Sequence, residues 1–525
     1  APRFPSVMKK KWLSPELLYW ERRMQIVNTA EMRALEKAWS ESAQRPLIDL
    51  MEQAGKAVWD TIEKIYAPHT GAHWVVFAGS GNNGGDGYVA ARYAATAGIY
   101  VTVIHIGDPQ KMTADTRTNY ERFCAAGGQV TFAAGGQLPE ISEVHGIVDA
   151  LIGIGLTAPL RSHLLETVAA INATAKKRDC PVVAIDVPTG VNADTGNIMG
   201  DAVKASLTIM IGAVKQGLCM YPARIYAGNL QVADLAMTKA DFVGSTVLIT
   251  EKNITWPRRT PLSHKGTQGH VAIFAGCVGM EGAALLCAKA ALRAGAGKVT
   301  LFMPKNAARN VIGHIPEVMI KPVGDTDFFT LKDTEIDVSG YDAIAIGCGI
   351  GRAKETTDWG LAMTERIPCP FVCDADGLYA LAQHPGHRLP ARCVITPHLG
   401  EAARLLHVTN REIENDRPGY VKALHATTGA VSVLKGASTL LFEGTRLAVN
   451  TTGNAGLATA GTGDTLTGII AALLAQGLAP ADAAATGIWW HGAAADRLAE
   501  QYGYGFLATE VADTLPYIYK EQVME

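Results

Sequence analysis

The segment Trp74-Val-Val-Phe-Ala-Gly-Ser-Gly-Asn-Asn-Gly-Gly-Asp-Gly87 joins a short apolar run to a glycine-rich turn. The apolar run predicts a buried strand, and the residues after the turn predict a helix over 85–98. A strand over 100–106 follows, and the apolar runs 146–152 and 181–185 enclose a further helical segment. Strands that alternate with helices are typical of a mainly parallel sheet. This half of the chain is therefore predicted to have an α/β fold.

The same alternation begins again after a polar, proline-containing stretch. Because 525 residues exceed one typical domain and the halves show no repeat in register, we expect two different domains. Their predicted bounds are an N-terminal arm 1–23, a domain 24–237, a linker 238–262 and a domain 263–525. The predicted strands of the second domain are 271–274, 298–302, 342–346, 371–373, 393–395 and 431–434, and its predicted helices include 281–294, 464–476 and 481–501.

Composition excludes several classes of protein. A net charge of −3 gives no basic field for a nucleic acid, so we expect no nucleic-acid partner. No apolar run reaches the roughly 18 residues that span a bilayer, so we expect no membrane segment. The nine cysteines are scattered and form no Cys-x-x-Cys pair, which favours reduced thiols in a cytoplasmic protein over zinc or disulfides.

The glycine-rich turn places Asn82, Asn83 and Asp86 directly after a predicted strand. Glycines let the backbone approach a ligand closely, and a following helix start favours an anion. Amide and carboxylate oxygens equally suit a polar ligand or a hard cation, and a tight turn with a capping aspartate also explains the pattern. The stretch is neither a dinucleotide fingerprint nor a Walker loop.

Two more carboxylates, Asp149 and Asp186, end predicted strands in the same half. Ligands of open α/β sheets bind beyond the carboxyl ends of the strands, so these turns should converge on the glycine-rich turn. A carboxylate in such a crevice can act as a general acid or base. A solvated aspartate at a strand end is the alternative for either residue alone.

In this order, Asn82-Asn-Gly-Gly-Asp-Gly87, Asp149-Ala-Leu-Ile-Gly-Ile-Gly-Leu156 and Asp186-Val-Pro-Thr-Gly-Val191 resemble the NAD(P)HX epimerase family over residues 24–237. The resemblance implies a Rossmann-like three-layer αβα domain that binds the hydrated nicotinamide nucleotides NADHX and NADPHX. It implies substrate contacts at Asn82, Asn83, Gly84, Gly85, Asp86, Gly153, Ile154, Gly155, Leu156, Thr157, Ala158, Pro159 and Asp186.

The resemblance also assigns chemistry to four residues of this domain. Asp186 would contact the nicotinamide part and is the acid/base candidate, and Asn83, Asp149 and Thr189 would hold potassium. Thr189 replaces a frequent serine and keeps its hydroxyl group. Ile154 replaces a frequent threonine and lacks its hydroxyl group.

The second half contains Gly461-Thr-Gly-Asp464 before an apolar helix. Free backbone amides at such a helix start can neutralise a phosphoryl group in transfer, and Asp464 can take the proton of an attacking hydroxyl group. Lys435-Gly-Ala-Ser-Thr439 follows a predicted strand and suits nucleotide phosphates. A capping turn is the alternative for each motif alone.

Together with the turns around Gly349, Asp374 and His398, these motifs resemble the NAD(P)HX dehydratase family over residues 240–522. The resemblance implies a ribokinase-like α/β fold, with Mg²⁺ and ADP, or ATP in some members, as co-substrate. It implies nucleotide contacts at Lys435, Gly436, Ala437, Ser438, Thr439 and Gly463, and contacts to the hydrated nucleotide at Ala283, Gly349, His398 and Asp464. Leu457 and Ala460 replace a frequent methionine and glycine.

A bifunctional repair enzyme is therefore expected, one that epimerises R and S hydrates and dehydrates the S form with release of AMP and phosphate. Enzymes of both families often assemble, so we also expect a homo-oligomer. The main alternative is a kinase for a sugar or a vitamin precursor, which would share Gly461–Asp464 and the fold. A second alternative is a nucleotide-binding scaffold without catalysis. A dehydrogenase is disfavoured because the dinucleotide fingerprint is absent.

Overall fold

The described residues of this computed structural model are 25–133, 139, 143–235, 237 and 244–524. The predicted N-terminal arm and the first residues of the predicted linker lie outside them. The chain divides into two units, Ala1–Thr246 and Val247–Glu525. None of the helices in the described ranges combines the length and the apolar character that crossing a bilayer requires.

The first unit is built on a seven-stranded sheet of order β4-β3-β2-β5-β6-β7-β9, in which every neighbouring pair is parallel. The strands of this sheet are β2 (His73–Ala78), β3 (Tyr100–Ile106), β4 (Gln129–Ala133), β5 (Gly146–Ala150), β6 (Val182–Ile185), β7 (Leu207–Ile211) and β9 (Asn229–Ala233). The short strands β1 (Ile26–Val27) and β8 (Val214–Lys215) pair with each other outside it. The helices of the unit are α1 (Thr29–Ala43), α2 (Leu47–Tyr66), α3 (Asn82–Thr96), α4 (Ala114–Ala125), α5 (Ser162–Arg178) and α6 (Ala223–Ala227).

Both faces of this sheet are covered. Trp74 and Val76 of β2 pack in one apolar cluster with α2 and α3, whereas Val75 and Phe77 pack in a second cluster with α5. Successive side chains of a strand point to opposite faces, so a strand buried on both sides reads as a continuous apolar run. The predicted parallel αβα architecture of this half is confirmed.

The first helix after the glycine-rich turn begins earlier than the sequence predicts. The prediction of 85–98 was wrong at its start, because α3 already begins at Asn82. Asn82 to Gly85 therefore form the first helical turn and not a loop. Gly84 permits this start, since a Cβ there would lie 1.9 Å from the carbonyl oxygen of Gly79.

The second unit contains a sheet of order β13-β12-β11-β14-β15-β16-β17-β18-β19, parallel as far as β17 and antiparallel beyond it. Its strands, with β10 (Thr246–Ile249) at the junction, are β11 (His270–Phe274), β12 (Lys298–Pro304), β13 (Val318–Val323), β14 (Ala343–Ile346), β15 (Phe371–Cys373), β16 (Cys393–Ile395), β17 (Val431–Leu434), β18 (Leu440–Phe442) and β19 (Leu447–Asn450).

The helices of the second unit lie on both faces of this sheet. They are α7 (Glu281–Arg293), α8 (Lys305–Val311), α9 (Lys354–Arg366), α10 (Asp376–Ala382), α11 (Leu399–Leu406), α12 (Asn410–Asn415), α13 (Arg417–Thr428), α14 (Thr462–Ala475), α15 (Pro480–Tyr502) and α16 (Ala508–Tyr519). Ile273 of β11 packs in an apolar cluster with α7, α14, α15 and α16. Phe274 of the same strand packs on the opposite face, 5.9 Å from the ring of Trp359 in α9. The prediction of an α/β fold is confirmed here too.

Candidate functional site

Three turns of the first unit meet beyond the carboxyl ends of its strands. The point of convergence is Gly153, in the segment after β5. A Cβ on Gly153 would lie 3.0 Å from Oδ2 of Asp186 and 3.2 Å from Oδ1 of Asn83. The structure thus brings the predicted residues Asn83, Gly153 and Asp186 together. This proximity arises because parallel strands end at one edge of the sheet.

Asp186 is held by a partner that the sequence analysis missed. Its carboxylate lies 2.6 Å from Nζ of Lys215, whose side chain is only 2% exposed, and it accepts a hydrogen bond of 3.2 Å from the backbone N–H of Ile211. The ammonium group of Lys215 also donates to the carbonyl oxygen of Ile211, at 2.5 Å. Asp186 has a φ of 68°, a left-handed conformation that non-glycine residues adopt mainly at special sites. Asp186 and Lys215 therefore form a buried, pre-oriented acid–base pair.

Two further carboxylates belong to this charged cluster. Burial raises the pKa of Asp86 well above its usual value, and the nearby charges of Asp186 and Glu36 raise it further. Burial and the charge of Asp186 likewise raise the pKa of Glu36, in α1. One buried lysine thus faces three acids, and the raised pKa values favour neutral forms of Asp86 and Glu36. The cluster can exchange protons with a ligand in the crevice.

Asp149 and Thr189 form a second network at the same edge of the sheet. Thr189 donates to Asp149 through its backbone N–H at 2.8 Å and through its hydroxyl group at 2.7 Å. Burial nevertheless raises the pKa of Asp149 to about 6, against the effect of these hydrogen bonds. Both polar side-chain atoms of Asn83 are buried without a hydrogen-bond partner among the described residues. An unpartnered amide oxygen, a hydroxyl group and a buried carboxylate are a donor set that suits a hard cation.

The other predicted substrate residues of this unit differ in exposure. Asn82 accepts a hydrogen bond of 2.9 Å from the hydroxyl group of Thr113, which precedes α4. The side chain of Leu156 is buried in the core, so a ligand can reach only its backbone. Ile154 is partly buried against the other core cluster. Exposed positions of the segment after β5 are Gly155, Thr157, Ala158 and Pro159.

For the epimerase activity that the resemblance implies, Gly153→Ala is expected to lower kcat/KM by about 10- to 100-fold. The added methyl group would press on both Asn83 and Asp186, and a displacement of about 1 Å at a reacting group can cost 100-fold. Gly340→Ala is the matched control, because a Cβ there meets nothing within 4 Å. The measurement is the rate of R–S exchange by NMR. Full activity in Gly153→Ala would contradict the placement of the site.

In the second unit, Lys435 follows β17 and contacts the end of β15 and the start of α14. Its ammonium group lies 2.9 Å from Oδ1 of Asp374, and the hydroxyl group of Thr467 donates to Oδ2 of that carboxylate at 2.8 Å. A Cβ on Gly463 would lie 3.2 Å from Nζ of Lys435. Burial alone would lower the pKa of Lys435, but the charges of Asp374 and Glu401 outweigh it and raise the pKa. A fixed positive charge therefore lies beside the start of α14.

Asp464 lies in the first turn of α14, which begins at Thr462. Burial raises its pKa to about 6, whereas a hydrogen bond from the thiol of Cys348 and the charge of Lys435 lower it. Gly349 follows Cys348, and a Cβ on Gly349 would lie 3.1 Å from Cβ of Ala283. The predicted residues Asp464, Gly349 and Ala283 therefore lie close to one another. A carboxylate with such a pKa is a suitable general base near neutral pH.

His398 occupies the N-cap of α11. Glu401, in the first turn of that helix, lies 3.9 Å from Nζ of Lys435. Nδ1 of His398 accepts a hydrogen bond of 3.0 Å from the N–H of Gly400, and its Nε2 lies 3.5 Å from Oε1 of Glu401. Burial and the charge of Lys435 lower the pKa of His398, so the neutral ring dominates at neutral pH. Burial raises the pKa of Glu401 to about 7. His398 can therefore contact a ligand as a neutral hydrogen-bonding group.

Several residues of these sites were not predicted from the sequence. The apolar run 207–211 predicts a strand, and Lys215 lies shortly after it. A lysine near a predicted strand end was a usable signal of a site residue. Thr467 lies one turn after Asp464 on an apolar helix, and that position also gave a signal. Glu36 carried no signal, because only the folded chain brings it to the site.

Two family models match the chain. The family described as YjeF-related protein N-terminus matches residues 47–217, and the family described as NAD(P)H-hydrate dehydratase matches residues 271–517. The first range contains Asn83, Gly153 and Asp186. The second contains Lys435 and Asp464.

Named relatives resemble the chain over nearly all of its length. The "Bifunctional NAD(P)H-hydrate repair enzyme Nnr" of Vibrio cholerae is 39% identical over 478 residues, which is 90% of this chain and 93% of the relative. The protein of the same name from Escherichia coli is 37% identical and covers 91% of each chain. A solved ADP/ATP-dependent NAD(P)H-hydrate dehydratase from Bacillus subtilis is 32% identical and covers 52% of this chain and 98% of its own, with a TM-score of 0.47.

Both motif sets and both family matches occur in one chain, in the same order as in relatives that span it almost completely. The chain therefore belongs to the family of bifunctional NAD(P)H-hydrate repair enzymes.

Proposed function

We propose that this protein repairs hydrated NADH and NADPH, epimerising their R and S forms in the first unit and dehydrating the S form in the second. The observation that carries the proposal is the presence of two separate buried acid sites, around Asp186 and around Asp464, each at the strand ends of its own sheet. Family membership supplies the substrate class. The two activities are complementary, because a dehydratase specific for one epimer leaves the other unrepaired.

In the first unit, Asp186 and Lys215 supply a base and an acid 2.6 Å apart. Asp186 takes the proton of the C6 hydroxyl group as the C6–N1 bond breaks, and N1 receives its electron pair and a proton from Lys215. The product is an open-chain aldehyde. Rotation about C5–C6 and the reverse proton transfers close the ring with the opposite configuration.

Potassium in the first unit is part of this proposal. Asn83, Asp149 and Thr189 would hold it, and the unpartnered buried amide of Asn83 supports that assignment. The cation would balance the buried charge of Asp149 and fix the ends of the strands. Asp186 and Lys215 perform the proton transfers.

In the second unit, Asp464 takes the proton of the substrate hydroxyl group, whose oxygen attacks the terminal phosphorus of ADP. The bond to the bridging oxygen breaks, and AMP leaves. The ring nitrogen then expels phosphate from C6, and loss of a C5 proton restores the dihydropyridine. Lys435 and the amides at Gly463 stabilise the charge of the phosphoryl group in transfer.

The predicted nucleotide contacts at 435–439 and the substrate contacts at Ala283, Gly349 and His398 belong to the same proposal. ADP is proposed as the phosphoryl donor with ATP as the alternative, and Mg²⁺ would accompany either one. A homo-oligomer and a cytoplasmic location stay predictions.

Product analysis tests this proposal against a small-molecule kinase. The protein is incubated with mixed NADHX epimers, ADP, Mg²⁺ and K⁺, and the products are quantified by chromatography. The proposal expects NADH, AMP and inorganic phosphate in equal amounts. A phosphorylated substrate that accumulates without NADH would overturn it in favour of a kinase.

Dehydration is expected to slow as the pH falls through about 6, because Asp464 acts only when ionised and its pKa is raised to that value. An ordinary aspartate would produce this loss only near pH 4. Cys348→Ala removes a hydrogen bond that favours the ionised form, so the loss should move to higher pH. The measurement is dehydratase kcat/KM between about pH 5 and pH 8. An unchanged or lower midpoint in Cys348→Ala would contradict this role of Asp464.

A further inference from the structure

Arg417, the first residue of α13, reaches the turn after β17. Its Nη1 donates to the carbonyl oxygen of Ala437 at 2.5 Å, and its Nη2 donates to that of Ser438 at 3.1 Å. A Cβ on Gly436 would lie 3.0 Å from Nη2, so the guanidinium group also lies against that glycine. One side chain thus contacts three consecutive residues of the 435–439 segment.

These two hydrogen bonds determine where the backbone amides point. In a planar trans peptide the C=O and the following N–H point in opposite directions. Because Arg417 binds the carbonyls of Ala437 and Ser438, the N–H groups of Ser438 and Thr439 face away from it. Consecutive amides on one side of a turn form an anion-binding concavity.

The backbone of this segment is held in an unusual conformation. Ser438 has a φ of 54° and Gly436 a φ of 153°, both in the left-handed half of conformational space. The hydroxyl oxygen of Ser438 is buried and has no hydrogen-bond partner among the described residues. Strain and an unpartnered polar atom at one residue are typical of a site shaped for a ligand and not for stability.

Arg417 also brings a positive charge to the segment. In the described ranges, no carboxylate forms an ion pair with its guanidinium group, and burial lowers its pKa to about 10, so it stays protonated at neutral pH. Lys435, at the other end of the segment, is paired with Asp374 at 2.9 Å. The uncompensated positive charge near the segment therefore belongs to Arg417, and an anion would complement it.

We propose that Arg417 is a positioning residue of the dehydratase reaction, which turns the amides of the 435–439 segment toward the phosphates of the adenine nucleotide. This inference rests on the proposed function, in which that segment holds the nucleotide. Arg417 acts through the backbone of the segment and by charge.

Arg417→Ala tests this proposal, because it should change the KM for ADP but not the KM for S-NADHX. The KM for ADP should rise about 10- to 100-fold, because hydrogen bonds of a charged donor are lost. The KM for S-NADHX and the epimerase rate should stay unchanged. Arg417→Lys keeps the charge without the two-pronged fork, so its KM for ADP should lie between those of the wild type and Arg417→Ala. Arg411→Ala, an exposed arginine of α12, is the matched control.

Added guanidinium ion separates positioning from folding. At concentrations that leave the wild type unaffected, it should lower the KM for ADP of Arg417→Ala toward the wild-type value. If the KM for ADP and the KM for S-NADHX rose equally and guanidinium did not restore them, the role of Arg417 would be purely structural. That result would overturn the proposal. An unchanged KM for ADP would overturn it as well.

Hydrogen exchange on the wild-type protein tests the nucleotide assignment of the segment separately from the role of Arg417. ADP should protect the amides of residues 436–439, whereas AMP should protect them less. No protection by ADP would reject the nucleotide assignment of the segment, and the role of Arg417 with it. Protection by ADP combined with an unchanged KM in Arg417→Ala would reject only the role of Arg417.

Discussion

Asp464→Asn is expected to abolish the recovery of NADH from its hydrate while leaving R–S exchange intact. The amide cannot accept the proton of the attacking hydroxyl group, and loss of a general base costs about 100- to 10,000-fold in rate. The two side chains have nearly the same shape, so the first turn of α14 should be preserved. The measurement is absorbance recovery at the reduced nicotinamide band with saturating ADP.

Asp482→Asn is the matched control for this variant. Asp482 also lies in the first turn of a helix, α15, but its side chain is exposed. Its replacement removes the same helix-start charge without touching the Lys435–Asp374 network. If Asp464→Asn kept more than about a tenth of wild-type kcat, Asp464 would not be the base.

Asp186→Asn is expected to stop repair after the S epimer has been consumed. The variant lacks the base of the first unit, so enzymatic exchange of R to S should fall by about 100-fold or more. Dehydration of S-NADHX should proceed at the wild-type rate. The progress curve should therefore show a fast phase limited by the initial share of S epimer, followed by slow uncatalysed exchange.

Asp179→Asn is the control for Asp186→Asn, because Asp179 has a similar left-handed φ of 51° but an exposed side chain. Asparagine tolerates this conformation at both positions. A progress curve that reaches completion in Asp186→Asn at the wild-type rate would remove Asp186 from the reaction. Loss of S dehydration in the same variant would argue against independent sites.

Most of the fold could be predicted from periodicity. The strands 100–106, 371–373, 393–395 and 431–434 have the predicted bounds, since each is a short apolar run between turn residues. The error at α3 has a physical cause. Asn82, Asn83 and Gly84, residues of types that usually form turns, enter the helix because Gly84 allows close approach to Gly79, directly after β2. The helix propensities of these residues do not predict that contact.

The candidate sites were predictable to the extent that they lie at strand ends. Asp186 follows directly from that position, whereas Asp464 follows from the Gly461-Thr-Gly-Asp464 motif at the start of α14. The resemblance supplied their part in the repair reaction. Lys215 and Arg417 contact the sites from segments distant in sequence, over 29 and 20 residues respectively. A side chain's distant partner is set by how the elements pack. The position of Lys215 after an apolar run could mark it as a candidate, but no local pattern could identify its contact with Asp186 or the contacts of Arg417.

Mixing two variants that each lack one activity tests the central claim, that one chain holds two independent sites acting in sequence. Asp464→Asn and Asp186→Asn are combined in equal amounts with mixed NADHX epimers, ADP, Mg²⁺ and K⁺. Each variant keeps the site that the other lacks, so the account predicts complete recovery of NADH, which neither protein reaches alone. Recovery that stops at the initial share of S epimer would contradict it.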